Sequence, residues 1–146
     1  MARRLVLAGL LTSLAVAALV LATPAAAEHE IYYRFSVLGY VKDSHGKPVA
    51  NARVDVVRDK TGFSYLGETD EEGFYFVRAR LGDESRGEVL TVRQGPQVRR
   101  VFVIFDPANQ TDERGTRVDF EGAHSIERAA RFRSTLTDII GAVNRH

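Results

Sequence analysis

Short stretches in which apolar and polar residues alternate run from residue 31 to about residue 120. Turn-forming residues interrupt them at intervals of roughly 8 to 12 positions, which is typical of an all-β sandwich. The alternation is clearest over Ala50 to Val56, where every second residue is apolar. We therefore predict seven strands, at residues 30–42, 50–56, 63–69, 74–79, 88–93, 98–105 and 116–120.

The pattern changes after Gly122, where apolar residues begin to recur at helical spacing. Ser125 is a residue type suited to capping the start of a helix. The apolar positions are Ile126, Ala129, Ala130, Phe132, Leu136, Ile139, Ile140 and Val143. We predict an amphipathic helix whose apolar face packs on its own sandwich, or else contacts a second copy, a partner protein or a membrane surface.

The first 27 residues have the organisation of a secretory signal peptide. Arg3 and Arg4 form the positive start, Leu5 to Ala22 is an uncharged apolar run, and Ala25 and Ala27 supply the small residues of an A-x-A cleavage site. We expect cleavage after Ala27. A retained membrane anchor is the alternative, because an apolar run of about 18 residues approaches the length of a spanning helix.

Composition and charge exclude several classes of function. The chain has 20 Lys+Arg and 19 Asp+Glu, a formal net charge of +1, which is too small an excess for a nucleic-acid binder that works by bulk charge. The absence of cysteine excludes a disulfide framework, a thiolate metal site and a cysteine nucleophile. We divide the chain into a signal peptide at 1–27, a sandwich at 28–122 and a helix at 123–146, and expect a periplasmic or secreted protein.

Two motifs resemble those of a known family. Residues Gly39 to Val56 are G-Y-V-K-D-S-H-G-K-P-V-A-N-A-R-V-D-V, and Thr69 to Phe76 are T-D-E-E-G-F-Y-F. Both are similar to the motifs of the carboxypeptidase regulatory-like, or transthyretin-like, domain, and the resemblance covers about Ile31 to Phe120. It implies a seven-stranded Greek-key sandwich of prealbumin type, in a family whose domains are mostly non-catalytic and bind proteins, sugars or envelope polymers.

The transthyretin-like fold also includes 5-hydroxyisourate hydrolases, which makes a divergent hydrolase an alternative. Those enzymes carry an early H-V-x-D-x-x-x-G-x-P-A pattern and end in Y-R-G-S. In this chain Tyr40 stands at the position of the histidine, the turn is one residue shorter, and the chain ends V-N-R-H. A tyrosine with an ordinary pKa of about 10 is no base at neutral pH, and His45 lies in the turn. We therefore predict no catalytic residue and no cofactor.

His29 is the strongest metal-ligand candidate in the sequence. After cleavage at Ala27 it becomes the second residue of the mature chain, where its imidazole, the free amine and a backbone amide could hold Cu(II). An ordinary polar N-terminus is the competing interpretation. The acidic residues around Asp70 to Glu72 lack the D-x-D-x-D-G spacing of a calcium loop and are interpreted as a solvated hairpin tip. An isopeptide crosslink is excluded because the last predicted strand, T-R-V-D-F-E, has no asparagine.

Two neighbouring predicted strands are rich in aromatic residues. Both faces of the segment 74–77 are apolar, so that one face can enter the core while the other needs a cover, which the tail helix or a partner could supply. The candidate ligand or partner surface consists of Phe63, Tyr65, Phe74 and Phe76 on the strands and Phe132, Leu136 and Ile140 on the helix.

From these features we predict an exported, non-catalytic binding or assembly module of the cell envelope. Its expected partner is an envelope protein or a second copy, bound through the C-terminal helix. The alternatives are carbohydrate or envelope-polymer binding through the aromatic strands, copper binding at His29 and a divergent hydrolase.

Overall fold

The computed structural model describes residues 31–145, which form two four-stranded β-sheets and one C-terminal helix. The strands are β1 (Phe35–Lys42), β2 (Arg53–Arg58), β3 (Phe63–Glu68), β4 (Phe74–Ala79), β5 (Val89–Gln94), β6 (Gln97–Phe102), β7 (Gly115–Glu121) and β8 (His124–Glu127), and the helix α1 is Phe132–Val143. Short 3-10 turns lie at Ile31–Tyr33, Asp83–Ser85 and Ala129–Arg131. The predicted signal peptide and His29 lie outside the described residues.

The first sheet has the strand order β4-β1-β7-β8 and the second has the order β3-β2-β5-β6. Strands β1 and β7 run parallel, and every other neighbouring pair is antiparallel. The chain crosses between the sheets after β1, β3, β4 and β6. The prediction of an all-β sandwich with a C-terminal helix is confirmed.

The core lies between the sheets and is built from the inward positions of the alternating strands. Val54 and Val56 of β2 and Leu90 and Val92 of β5 are fully buried there. Tyr75 of β4 joins them, and its hydroxyl donates a 2.6 Å hydrogen bond to a backbone carbonyl of β7. A buried hydroxyl needs such a partner to offset its lost hydration.

The two sequence motifs, at residues 39–56 and 69–76, contain residues that determine the path of the backbone. A Cβ atom at Gly39 would lie 1.9 Å from the Val118 carbonyl oxygen of β7, so only glycine allows β1 to approach this strand. The buried Thr69 hydroxyl accepts a hydrogen bond from the Ala52 amide at 2.8 Å and donates one to the Val49 carbonyl at 2.6 Å. Both positions stabilise strand connections.

The structure has eight strands where seven were predicted, and its helix is shorter than expected. Residues His124–Glu127 form β8, which pairs antiparallel with β7, and α1 begins at Phe132 rather than at Ser125. The turn before β8 depends on Gly122, whose φ of 58° is left-handed. The segment that we predicted to be a single helix therefore contains β8, at the edge of the first sheet, followed by the helix α1.

Two predicted strands also begin later than expected. Ile31–Tyr33 form a 3-10 turn, so β1 starts only at Phe35. β2 starts at Arg53 because Asn51 has a left-handed φ of 57°, which interrupts an extended strand. Within residues 31–145, no helix has the length and hydrophobicity needed to cross a membrane.

Candidate functional site

The first turn of α1 is docked on the outer face of the first sheet. Phe132 is only 3% exposed, and its ring occupies the space that a side chain at Gly115 of β7 would fill. The buried Thr135 hydroxyl accepts a 2.9 Å hydrogen bond from Arg117. Leu38, which alternates away from the core on β1, is also fully buried. This half of the helix therefore completes the sandwich.

A buried charged group lies on the same outer face of the first sheet. The Asp119 carboxylate, 1% exposed, accepts hydrogen bonds from the Tyr40 amide at 2.9 Å and from Arg117 Nε at 3.0 Å. It also pairs with Arg128, which follows β8, and this hydrogen bond raises the pKa of Arg128 above its usual value. A buried carboxylate requires such compensation, so this group holds the segment after β8 against β7.

The burial of the apolar face decreases towards the end of α1. Leu136 and Ile139 are half-buried, whereas Ile140 is 52% exposed and Val143 is 70% exposed. Their spacing of i, i+3, i+4 and i+7 places them on one face of the helix. We call these four residues the α1 stripe. It continues the face that Phe132 buries, but only its beginning is covered.

A second exposed apolar surface lies where the edge strands β3 and β4 meet. Phe63 is 59% exposed, and its ring centroid lies 4.9 Å from that of Tyr65 with the rings inclined at 65°. Phe76, Arg78 and Arg80 form the β4 side. Together with β3 they enclose a groove of about 430 Å³ that is open to solvent. We call it the edge groove.

The edge groove adjoins a further depression of about 530 Å³. Phe63 and Tyr65 line both, and Arg58 lines the second. Arg58 is paired with Glu88 at 2.7 Å. Arg78 and Arg80, in contrast, form no salt bridge with any residue in the range 31–145, although the Arg78 guanidinium lies 5.4 Å from the centroid of the Phe76 ring.

The structure separates the candidate residues into different surroundings. Phe63, Tyr65 and Phe76 line the edge groove together, whereas Phe74 lies apart from it, with its ring 5.3 Å from Tyr40. On α1, Leu136 and Ile140 belong to the α1 stripe. Phe132 does not, because the protein buries it against its own first sheet.

Tyr40 and His45, the two residues considered for a hydrolase site, lie on β1 and in the turn that follows it. Tyr40 is half-buried, with the Arg117 guanidinium 5.2 Å from its ring centroid. Burial raises the pKa of the Tyr40 phenol above its usual value, which makes it a still poorer base at neutral pH. His45 is exposed in the turn after β1, with Nδ1 3.4 Å from the Ser44 hydroxyl.

The acidic hairpin tip uses its first carboxylate to hold its own turn. Asp70 accepts hydrogen bonds from the Glu72 amide at 2.9 Å and from the Phe74 amide at 3.0 Å. Across residues 31–145 there is no group of three or more His, Asp or Glu side chains placed to share a metal ion. The copper prediction at His29 falls outside this range.

A third cavity, of about 320 Å³, lies between the loop after β6 and the start of α1. Most of its charged lining is paired, and Asp106 is the charged lining residue that forms no salt bridge within residues 31–145. Asp112 pairs with Arg133 at 2.9 Å, Glu113 pairs with Arg34, and Arg114 pairs with Asp83 at 2.7 Å. The contrast with the edge groove is one of charge, because the groove lining contains arginines and no carboxylate.

Sequence reasoning missed two residues of the edge groove, Arg78 and Arg80, and the buried Asp119. Arg78 alternates with Val77 on β4 and so shares the outward face of Phe76; the period-two pattern contained this signal. Arg80 directly follows the strand. Asp119 carried no comparable signal. The alternation along β7 places it on the outward face, where a carboxylate is expected to be exposed. Only the packing of the C-terminal segment buries it.

No protein-family model matches this chain, and no curated protein matches it. Among solved structures it is similar to the dioxygenase domain of a dioxygenase and carbohydrate-binding protein fusion from the cellulolytic bacterium Streptomyces sp. SirexAA-E. The two share 20% identity, the match covers 61% of this chain and 79% of that one, and the TM-score is 0.42. A TM-score of this size supports no conclusion about function.

Proposed function

We propose that this protein is an exported, non-catalytic binding module of the cell envelope that binds a partner protein through the α1 stripe. One observation carries the proposal: the apolar face of α1 continues beyond its own docking site, and Ile140 and Val143 are 52% and 70% exposed. Their spacing is that of helices that lie in an apolar groove of another protein. The rigidly docked first turn presents the stripe in a fixed orientation.

The energetics favour a partner of this kind. Full burial of one aliphatic side chain is worth roughly 1.5–3 kcal/mol, and the stripe offers two half-buried and two exposed aliphatic residues. A helix that is already folded also loses less conformational entropy on binding than a disordered segment. The occupant we propose is an apolar groove of an envelope protein; a second copy of this chain is the alternative occupant.

The proposal is tested by photo-crosslinking in intact cells. A photoreactive residue replaces Val143 on the stripe, or Thr137 on the exposed polar side of the same helix as the matched control. We expect one defined adduct from position 143 and none from position 137. The adduct should disappear when Ile140→Glu is added. Equal crosslinking from both positions, or none from either, would contradict the proposal.

Export and the prealbumin-type Greek-key fold remain part of the proposal. Export is supported by the sequence of the first 27 residues, and sequencing the N-terminus of the protein recovered from the envelope should find Glu28 first. The fold is supported by the two sheets, β4-β1-β7-β8 and β3-β2-β5-β6, together with the two motifs. Against the divergent hydrolase, burial raises the pKa of Tyr40, the residue at the position of the hydrolase histidine, which makes it a poor base at neutral pH.

A second candidate function is recognition of an envelope sugar polymer at the edge groove. It is favoured by Phe63, whose ring is 59% exposed beside Tyr65. An exposed aromatic ring can stack on the apolar C–H face of a sugar. Retention of the exported protein on a sugar polymer, with loss of retention in Phe63→Ala, tests this candidate separately from the crosslinking experiment.

A further inference from the structure

We propose that the edge groove binds an acidic polysaccharide, with the sugar rings stacked on Phe63 and Tyr65 and the anionic groups paired with Arg78 and Arg80. The inference rests on the second candidate function above and names its ligand class. It is independent of the α1 stripe.

The charge of the groove points to an anionic ligand. Arg78 and Arg80 are both exposed and, within residues 31–145, neither has a carboxylate partner. The lining of the edge groove contains no acidic residue. Two unpaired guanidinium groups at one wall of a groove produce a local positive potential, although the chain as a whole is almost neutral, with a formal net charge of +1.

The chemistry of the guanidinium group favours carboxylate, sulfate or phosphate groups. Its donors form a planar fork that binds two oxygens of one anion, which a lysine cannot do. The Arg78 guanidinium lies 5.4 Å from the Phe76 ring centroid, a cation–π contact that restrains the side chain before a ligand binds. Less conformational entropy is then lost on binding.

The aromatic residues point to sugar rings. Phe63 and Tyr65 are inclined at 65° with centroids 4.9 Å apart, and the exposed Phe63 ring offers a face on which a sugar ring can stack. The edge groove of about 430 Å³ and the adjoining depression of about 530 Å³ meet at these two rings. Each volume lies within the roughly 300–1,000 Å³ of small-ligand sites. A ligand with several linked rings fills both, and this favours a polymer over a single sugar.

An acidic peptide is the competing ligand, and the shape of the groove argues against it. Protein segments usually anchor an aromatic or aliphatic side chain in a well-packed, desolvated pocket. Here the walls are open, and the two most exposed apolar side chains of the lining, Phe63 and Leu66, are each 59% exposed and project from the surface instead of lining a deep pocket. A polysaccharide needs ring faces and charge, and the groove supplies both.

Binding is measured by calorimetry with the exported protein and three probes. Hexagalacturonate supplies sugar rings with carboxylates, its methyl ester keeps the rings and removes the charge, and polyglutamate supplies carboxylates without sugar rings. We expect only hexagalacturonate to bind well, with an affinity that falls as salt rises. Dextran sulfate against dextran then shows whether the anionic group must be a carboxylate.

The variants separate charge from stacking, and each has a matched control. Arg78→Gln with Arg80→Gln should weaken hexagalacturonate binding roughly tenfold or more. Arg93→Gln with Arg99→Gln removes the same charge elsewhere on the surface and should leave affinity unchanged. Phe63→Ala should abolish binding, whereas Phe102→Ala, which alters a ring of similar exposure on β6 (58% against 59%), should not.

Each outcome tests either the proposed ligand class or the proposed binding site. Equal binding of hexagalacturonate and its ester would overturn the acidic ligand while keeping the second candidate function. Failure of all four sugar probes would overturn both, and binding of polyglutamate would replace the sugar with an acidic peptide. Equal loss of affinity in the Arg93/Arg99 control would show non-specific charge attraction and overturn the assignment of the site.

Discussion

The two ends of α1 have similar apolar residues, but these are buried at one end and exposed to solvent at the other. At the start, Phe132 is 3% exposed and lies against Gly115. At the end, Val143 is 70% exposed. Hydrophobicity alone does not distinguish them. The difference comes from β7, where a glycine and the Arg117–Thr135 hydrogen bond provide a docking place for the first turn only.

This difference teaches how one amphipathic helix can have two roles. Its first turn is part of the fold, because it docks on the outer face of the first sheet at Gly115 and Arg117 of β7. Its last turns leave an apolar surface that the protein's own sheets do not cover. Large exposed apolar patches are typical of interaction sites, so the helix joins the fold to the proposed interface.

The largest expected effect is at the docked end. Phe132→Ala removes a buried ring beside Gly115 and should lower the free energy of unfolding by about 3–5 kcal/mol. Chemical denaturation measures this loss, and Val143→Ala is the control at the exposed end, with an expected change below about 0.5 kcal/mol. Equal losses in the two variants would mean that the ends do not differ.

The buried Asp119 carboxylate on β7 should give the next largest effect. Asp119→Asn keeps an acceptor for the Tyr40 amide but removes the charge that Arg117 and Arg128 share. We expect a loss of about 2–3 kcal/mol and faster hydrogen exchange in the first turn of α1. Asp138→Asn, an exposed change on the helix itself, is the control. Unchanged exchange in Asp119→Asn would separate this ion group from helix docking.

A smaller loss of stability is expected at low pH, and it should come from an ion pair of the second sheet. The Arg58 hydrogen bond lowers the pKa of Glu88 below its usual value of 4.5. The pair therefore stabilises the folded state above about pH 4.5, and this contribution is lost as pH falls through the lower folded pKa. Glu88→Gln should cost about 1 kcal/mol at neutral pH and flatten the acid limb of a stability titration.

The acid effect also sharpens the comparison between the ends of the helix. Arg58 is the last residue of β2 and Glu88 directly precedes β5, so both lie on the second sheet, away from α1. Lowering the pH should therefore reduce global stability without changing which end of α1 exchanges faster. A pH-dependent reversal of the two ends would show that helix docking, rather than the second sheet, responds to acid.

The smallest effect on stability is expected at the α1 stripe. Ile140→Glu with Val143→Glu changes two exposed residues and should alter the free energy of unfolding by less than about 0.5 kcal/mol. Ile140→Glu alone, in the protein that carries the photoreactive residue at position 143, should abolish crosslinking to the envelope partner. Thermal unfolding measures the first property. A cooperative loss of several degrees would indicate that the stripe packs within the protein.

The first seven strands were predictable because their chemistry is local. The alternation at Val54 and Val56 and the glycine turns placed the sandwich correctly, and β4 was predicted with its observed bounds, Phe74–Ala79. The beginning of the helix was not predictable. Ile126 fits a helical stripe and equally fits an edge strand, and only pairing with β7 decides between them.

The surfaces were less predictable than the fold because they depend on contacts between distant segments. Phe63 and Arg80 are far apart in sequence and meet only where the edges of the two sheets come together. Leu38 lies on the outer face of β1 and is buried all the same, which no pattern within β1 reveals. Asn51 shortens β2 through a backbone conformation that its residue type permits but does not require.

The most direct test of the central claim is hydrogen exchange along α1 in the purified exported protein, with its mass measured by light scattering. We predict a monomer in which amides of residues 136–139 exchange more slowly than those of 140–143. A dimer with a protected second half would keep the interface and make a second copy its occupant. A monomer protected evenly along the whole helix would contradict the claim, because the stripe would then be covered by the protein itself.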